Sequence, residues 1–304
     1  MKALIFRSIF LTALSVSALN LQQASAQNLI GSPLIKNYSP VDYGSRPRNW
    51  ALEQDEDGIL YVGNDMNLLT FDGNHWRSIP INNTIVRTIT KDPAGKIYVG
   101  AQGDFGYLTR NEIGDLKYNS MLTILDSADR RFTDVWSLHA DGIYLFVQTS
   151  FKLFRIRIAD QKVASWTMES SYHRSFLINN ILYLIPAGVG LQKLNGDKLE
   201  LVPGGEQFKD HQLSMMIPMS DGKILMGTQR NGLVIFNPSG KTPYQCFRPF
   251  KNDAESYLLK EGIFSALKLH SGDIAIGCLS GGVIILSPEG KLLMQTDENS
   301  GLQS

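Results

Sequence analysis

Seven residues of this chain carry side chains suited to a binding surface and fall at comparable places. They are Arg48 and Trp50 in "RPRNW", Arg87 in "IVR", Asp134 and Trp136 in "FTDVW", and His173 and Arg174 in "SYHRS". A guanidinium offers a planar fork of donors to a carboxylate or a hydroxyl-rich ligand. An indole offers a stacking plane. Each stretch opens a short apolar run, as do "DHQL" and "EGIF" further on. The tryptophans at these places are read in two ways, as stacking planes for a ligand or as packing between neighbouring sheets, and the sequence leaves both open.

Other chemistries find less support. "PSGKTP" (238–243) ends like a phosphate loop, but Ile235 stands where the first glycine belongs, and Pro243 is read as a barrier to the helix that should follow. "AGVGLQ" has two glycines of a dinucleotide fingerprint, lacks the third, and precedes an apolar run of strand type. "DEDG" at Asp55 could open a calcium loop, yet the spaced oxygen ligands downstream are missing, and "DPAG" and "SDG" fill the same slot as turns. His75, His139, His173, His211 and His270 show no pairing at ligand spacing, and the sequence has neither a Cys/His zinc pattern nor a Gly-x-Ser-x-Gly elbow. No catalytic residue, metal or cofactor is therefore expected. A general acid and nucleophile drawn from distant carboxylates would not be visible in spacing, which keeps a glycoside hydrolase or lyase as the alternative.

The elements that position these residues come from a repeat. "DEDGILYVGNDMNLLTFDG" from Asp55 returns as "DPAGKIYVGAQGDFGYLTR" from Asp92, "SDGKILMGTQRNGLVIFNP" from Ser220 and "HSGDIAIGCLSGGVIILSP" from His270. Six units start near Arg48, Val86, Asp134, Tyr172, His211 and Gly262, at a period of roughly 37–50 residues, the range of solenoids and propellers. Each reads as four short strands cut by Gly, Asp and Asn. Sheets apolar on both faces need a neighbour on each, and radial stacking supplies one. The predicted fold is all-β, a β-propeller of four-stranded blades with essentially no helix. Six blades are visible, and they are expected to belong to a seven-bladed ring; a six-bladed ring closed by "LIKNYSP" (34–40) is the competitor. Gly63, Gly100, Gly227 and Gly277 are read as sharp turns ending the second strand. Trp76 and Trp166 fall in outer strands, as packing.

Lys plus Arg and Asp plus Glu are both 29, so the net charge is zero; that argues against a nucleic-acid footprint and against a polybasic membrane patch. Lys2 and Arg7, the run "SIFLTALSVSAL" and "ASA" before Gln27 have the order of a secretory signal. The expected organisation is a signal peptide over 1–26, a lead-in over 27–47 holding a candidate blade-closing strand, and propeller repeats over 48–304. No membrane span is expected in the mature chain. Cys246 and Cys278 both lie in apolar strand contexts and are read as free thiols in preference to a disulfide.

"NGLVIFNPSG" (231–240) and the opening "NYSPVDYGSRPRNWALEQDEDGILYVGN" (37–64) resemble the two-component regulator propeller repeat and the start of large sensor proteins of Bacteroidetes-type bacteria. The resemblance covers about residues 35–304. WD40 and kelch signatures fit less well. It implies a periplasmic sensor propeller that recognises a small molecule, a glycan or a partner protein and passes the signal to C-terminal output domains. The residues through "TDENSGLQS" show no such domain, and the chain is read either as a fragment of a longer reading frame or as an orphan propeller. An interaction scaffold without a small ligand is a third reading.

Overall fold

Short apolar runs punctuated by Asp, Asn and Gly fold into antiparallel hairpins, and the hairpins pair into sheets. The structure, a computed structural model, describes residues 35–82, 84–171 and 174–302. The expected signal peptide and His173 lie outside the described residues.

Six four-stranded meanders follow one another, each with strands hydrogen-bonded in chain order. Blade one is β1 (Asn49–Gln54), β2 (Leu60–Asn64), β3 (Leu68–Phe71) and β4 (Trp76–Ile79); blade two is β5 (Val86–Lys91), β6 (Ile97–Ala101), β7 (Asp104–Arg110) and β8 (Leu116–Ser120). Blade three is β9 (Val135–Ala140), β10 (Tyr144–Thr149), β11 (Lys152–Arg157) and β12 (Val163–Thr167); blade four is β13 (Ser175–Ile178), β14 (Ile181–Leu184), β15 (Gln192–Asn195) and β16 (Lys198–Leu201). Blade five is β17 (Leu213–Pro218), β18 (Ile224–Thr228), β19 (Leu233–Phe236) and β20 (Phe247–Pro249); blade six is β21 (Ile263–Lys268), β22 (Ile274–Cys278), β23 (Val283–Leu286) and β24 (Leu292–Thr296). The turn reading of the Asp-Gly slots holds: Asp55 Oδ1 accepts the Ile59 N–H at 2.8 Å, and Asp92 Oδ1 accepts those of Ala94 and Lys96 at 2.9 Å each.

The core is distributed. One apolar layer lies between blades one and two (Tyr61, Leu68, Val86, Val99), another between two and three (Phe105, Val135, Phe154), and a third between three and four (Phe146, Leu153, Leu184). The remaining two lie between blades four and five (Tyr183, Met226, Phe236) and between five and six (Leu225, Ile235, Ile276, Ile284). The inner strands β1, β5, β9, β13, β17 and β21 pack in succession, and no comparable packing joins β21 to β1 among the described residues. On that side the lead-in covers blade one. Tyr38 sits 5.1 Å from Phe71 and 5.4 Å from Trp76, and Tyr43 joins Val62 and Leu69. Asn37 Nδ2 donates to the Gly301 carbonyl at 3.1 Å, bringing the two ends of the repeat array together.

Several expectations change. Residues 35–39 form no strand, and Pro40–Tyr43 is a one-turn helix, α1, capped by Ser39. Pro243 does not exclude a helix: it is the first residue of α2 (Pro243–Cys246), where its missing N–H would have no helical partner in any case. A third helix, α3 (Glu255–Glu261), links blades five and six and buries Leu258 between them; at seven residues it is too short to register as helical periodicity. Gly63, Gly100, Gly227 and Gly277 are not turns, since each lies inside its strand and none has a positive φ. Three of them answer to crowding: a Cβ on Gly100 would stand 2.7 Å from Val135 Cγ1 of the next blade, one on Gly63 2.8 Å from the Val86 carbonyl oxygen, and one on Gly227 2.6 Å from Met215 Cγ, whereas Gly277 has ordinary room. Both cysteines are free thiols, as read from the sequence.

Candidate functional site

Five of the six inner strands share an irregularity of register. In β1, Asn49 pairs with Asn64 and Ala51 with Gly63, leaving Trp50 as an extra residue. The same two-for-one pairing singles out Arg87 in β5, Trp136 in β9, Ser214 in β17 and Phe264 in β21. A bulge breaks strict alternation and re-aims one side chain. Here all five extra residues line one axial cavity of about 190 Å³, together with Arg174, Gln212, Leu213, Gln229 and Ile263, so every blade contributes. Larger hollows of 320 and 510 Å³ lie at the first two blades and at blades three and four, and each is lined by only two blades.

Trp50, Arg87, Asp134 and Trp136 come together as one assembly. The Arg87 guanidinium carbon stands 4.0 Å from the centre of the Trp50 ring and 5.0 Å from that of Trp136, while its Nε donates to Asp134 Oδ1 at 2.7 Å. Both partners of that ion pair are largely buried. Arg48 lies beside the assembly, its Nε donating to Asp65 Oδ2 at 2.9 Å, and Trp50 Nε1 donates to the other oxygen of Asp65 at 2.7 Å. Burial pushes the Asp65 carboxyl up, but the bonds from Trp50 and Arg48 outweigh it and hold the group below the usual carboxylate range. Trp136 Nε1 donates to Ser150 Oγ at 3.0 Å. Both indoles therefore present rings toward the axis with their polar ends tied back into their own blades.

Arg174 enters from the opposite side, just ahead of β13, the inner strand without the bulge. Its Nη1 donates to the Phe264 carbonyl at 2.5 Å and to that of Ser214 at 3.5 Å, and its guanidinium carbon lies 4.6 Å from the Phe264 ring centre. Six of the seven residues singled out in the sequence thus lie at or beside the cavity. The sequence reading left out Ser214 and Gln229, and it marked the stretches "DHQL" and "EGIF" that hold Gln212 and Phe264 without singling those residues out. The signal for Ser214 and Phe264 was available: each is the second residue of its inner strand, as Trp50, Arg87 and Trp136 are. Trp76 and Trp166 behave as packing, Trp76 stacked on Phe71 at 4.6 Å and Trp166 donating to the Asp197 carbonyl at 2.9 Å. Among the described residues no group of three or more His, Cys, Asp or Glu is placed to hold a metal ion, and no helix is long and apolar enough to cross a membrane.

No family model matches the chain, and no curated protein does. Solved structures do. The extracellular domain of a B. thetaiotaomicron protein named as a hybrid two-component system superposes with a TM-score of 0.65 at 18% identity, over 89% of this chain and 38% of that one. The extracellular domain of a protein of the same organism, named as a one-component system, gives 0.63 at 17% identity, over 84% and 34%. A virginiamycin B lyase from Staphylococcus aureus gives 0.60 at 10% identity, over 83% and 86%. The chain therefore spans little more than a third of the regulator domains it matches, and these identities carry the fold alone. The likeness and the six radial sheets agree: the chain is an all-β propeller of four-stranded blades, of the architecture found in those extracellular regulator domains.

Proposed function

We propose that this chain is an extracytoplasmic recognition propeller, the sensing part of a two-component-type regulator, which binds a small molecule or glycan in its axial cavity without turning it over. The observation that carries this reading is the convergence of five bulged residues, from five blades, on one polar and aromatic hollow. Repeats that only stack on one another have no need to aim side chains at their common axis, whereas a concave site with a few convergent polar groups suits a ligand. The secretory order of residues 1–26 and the extracellular placement of the regulator domains with this fold support an exported location. The lyase likeness is one of fold.

Binding is testable through the cavity's own fluorophores, Trp50 and Trp136. The full chain would be titrated with a panel of mono- and oligosaccharides and small carboxylic acids, following tryptophan emission. The expected result is a saturable change with at least one compound, lost in Trp136→Ala, with the compound recovered chemically intact. Saturable binding that is unaltered in both Trp136→Ala and Arg87→Ala would place recognition elsewhere, and conversion of the bound compound would favour an enzyme.

A further inference from the structure

The two arginines lining the axial cavity, and Arg48 beside it, differ in what neutralises them. Arg48 is paired with Asp65, and Arg87 with Asp134. Arg174 has no carboxylate partner among the described residues; its bonds go to the two neutral carbonyls of Ser214 and Phe264. Burial lowers its pKa from the ordinary arginine value, yet a guanidinium stays protonated even so. A charge removed from water and left without a counter-charge is unfavourable unless something of opposite sign is brought to it. Among the described residues only Nη1 is engaged, which leaves the Nε and Nη2 edge of the fork for a ligand.

The surroundings extend the argument. Arg174, Gln212 and Leu213 line both the axial cavity and an adjoining hollow of about 280 Å³, which also presents Lys209 and His211. Asp210 is the one carboxylate lining that hollow, and it forms no ion pair with Arg174 or Lys209. A second positive group thus stands in the hollow that shares Arg174 with the cavity.

Resting on the axial-cavity reading, we infer that the ligand carries a carboxylate, which docks on the Nε and Nη2 edge of Arg174 as a bidentate pair while the rest of the molecule extends toward Trp50 and Trp136. The two parallel bonds available to a carboxylate make this geometry specific, and a lysine ammonium does not reproduce it. Arg174 is then the residue that distinguishes an acid from its neutral counterpart; Arg87, already paired, shapes the cavity wall, and Arg48, paired and largely exposed, stands outside the lining.

The test uses the full chain at constant ionic strength, with D-glucuronate, D-glucose and acetate as probes, read by tryptophan emission and by the shift in melting temperature. D-Glucuronate should bind at least ten-fold more tightly than D-glucose, and acetate should compete with it. Arg174→Gln should abolish that preference, Arg174→Lys should recover only part of it, and Arg48→Gln should leave it intact. A preference for glucuronate retained in Arg174→Gln, or no carboxylate binding to the wild-type chain, would overturn the inference. If glucose and glucuronate bind alike and Trp136→Ala removes both, the axial site stands and the carboxylate inference falls.

Discussion

Blades five and six are built from nearly the same sentence, "SDGKILMGTQRNGLVIFNP" and "HSGDIAIGCLSGGVIILSP", and share strand order, register and bulge. Their burial differs sharply. In blade five, five of the six residues of β17 and all of β18 are buried. In blade six, Ile263 alone is buried in β21, and Leu267, Phe264, Leu279 and Leu293 are 57%, 41%, 44% and 49% exposed. Blade five has neighbours on both faces; among the described residues blade six packs closely on one. The flank expected from the sequence to be exposed, Val283–Leu286, is in fact divided, with Ile284 and Leu286 fully buried against blade five and Val283 and Ile285 half-buried. In a stacked repeat, burial belongs to the pair of sheets and not to the sheet's own sequence.

The sharpest way to break this comparison is to truncate a leucine on each kind of face. Leu225→Ala, in the layer between blades five and six, should cost about 2–5 kcal/mol. Leu267→Ser, on the uncovered face, should fall within about 0.5 kcal/mol of wild type. Urea midpoints measure both, and equal losses would mean that the far face of blade six is covered in solution. The paired glycines give the next largest effect. Gly100→Ala forces a Cβ to 2.6 Å from Thr88 Cγ2 and 2.7 Å from Val135 Cγ1, and overpacking of that kind costs about 1–3 kcal/mol. At Gly277 the nearest atom to a new Cβ is Ser265 Oγ at 3.4 Å, so Gly277→Ala should change stability by less than about 0.5 kcal/mol. A loss at Gly277 as large as that at Gly100 would remove the assigned role of the next blade.

A pH-dependent effect distinguishes a polar seam from the apolar ones. Between blades three and four, His139 Nε2 lies 2.9 Å from the Ser175 carbonyl, and Ser175 N–H donates to Ser137 Oγ at 3.2 Å. Burial pushes the His139 pKa down to about 4, against an opposing bond to Ser175. The unfolded chain takes up this proton near pH 6.5 and the folded one near 4. Between those values the unfolded state binds more protons, and stability falls as pH drops, by at most about 1 kcal/mol per pH unit because the ring keeps some access to water. Well above pH 6.5, where both states leave the ring neutral, His139 contributes no slope. His139→Gln should flatten the dependence of the urea midpoint on pH between 6.5 and 4, and an unchanged slope would assign the acid sensitivity to other groups.

Much of the architecture was legible because its signals are local. The six unit starts, near Arg48, Val86, Asp134, Tyr172, His211 and Gly262, lie within a few residues of the observed inner strands, since Asp-Gly turns and apolar runs act over four to six residues. What failed was non-local. Gly63 and Gly100 look like turn glycines in one chain segment and become close-approach glycines only when Val86 and Val135 arrive from the next blade. The site was half legible for the same reason. Arg and Trp draw the eye, while Ser214 and Phe264 are ordinary residues whose role comes from register. That Arg48 and Arg87 are already neutralised and Arg174 is not depends on Asp65 and Asp134, and no spacing along the chain reveals such pairing.

The bulge at the second residue of the inner strand has an evolutionary corollary. Trp50, Arg87, Trp136, Ser214 and Phe264 belong to none of the apolar layers that hold the blades together. A change at Ser214 or Phe264 alters what the axis presents while the apolar layers stay intact, whereas Arg87 and the two indoles are tied to one another and to Asp134 and Asp65. Two freely variable positions and one coupled trio around a single hollow form a small combinatorial palette on a constant frame. A gene that duplicates such blades can thus acquire a new recognition chemistry one substitution at a time, without having to re-solve its fold.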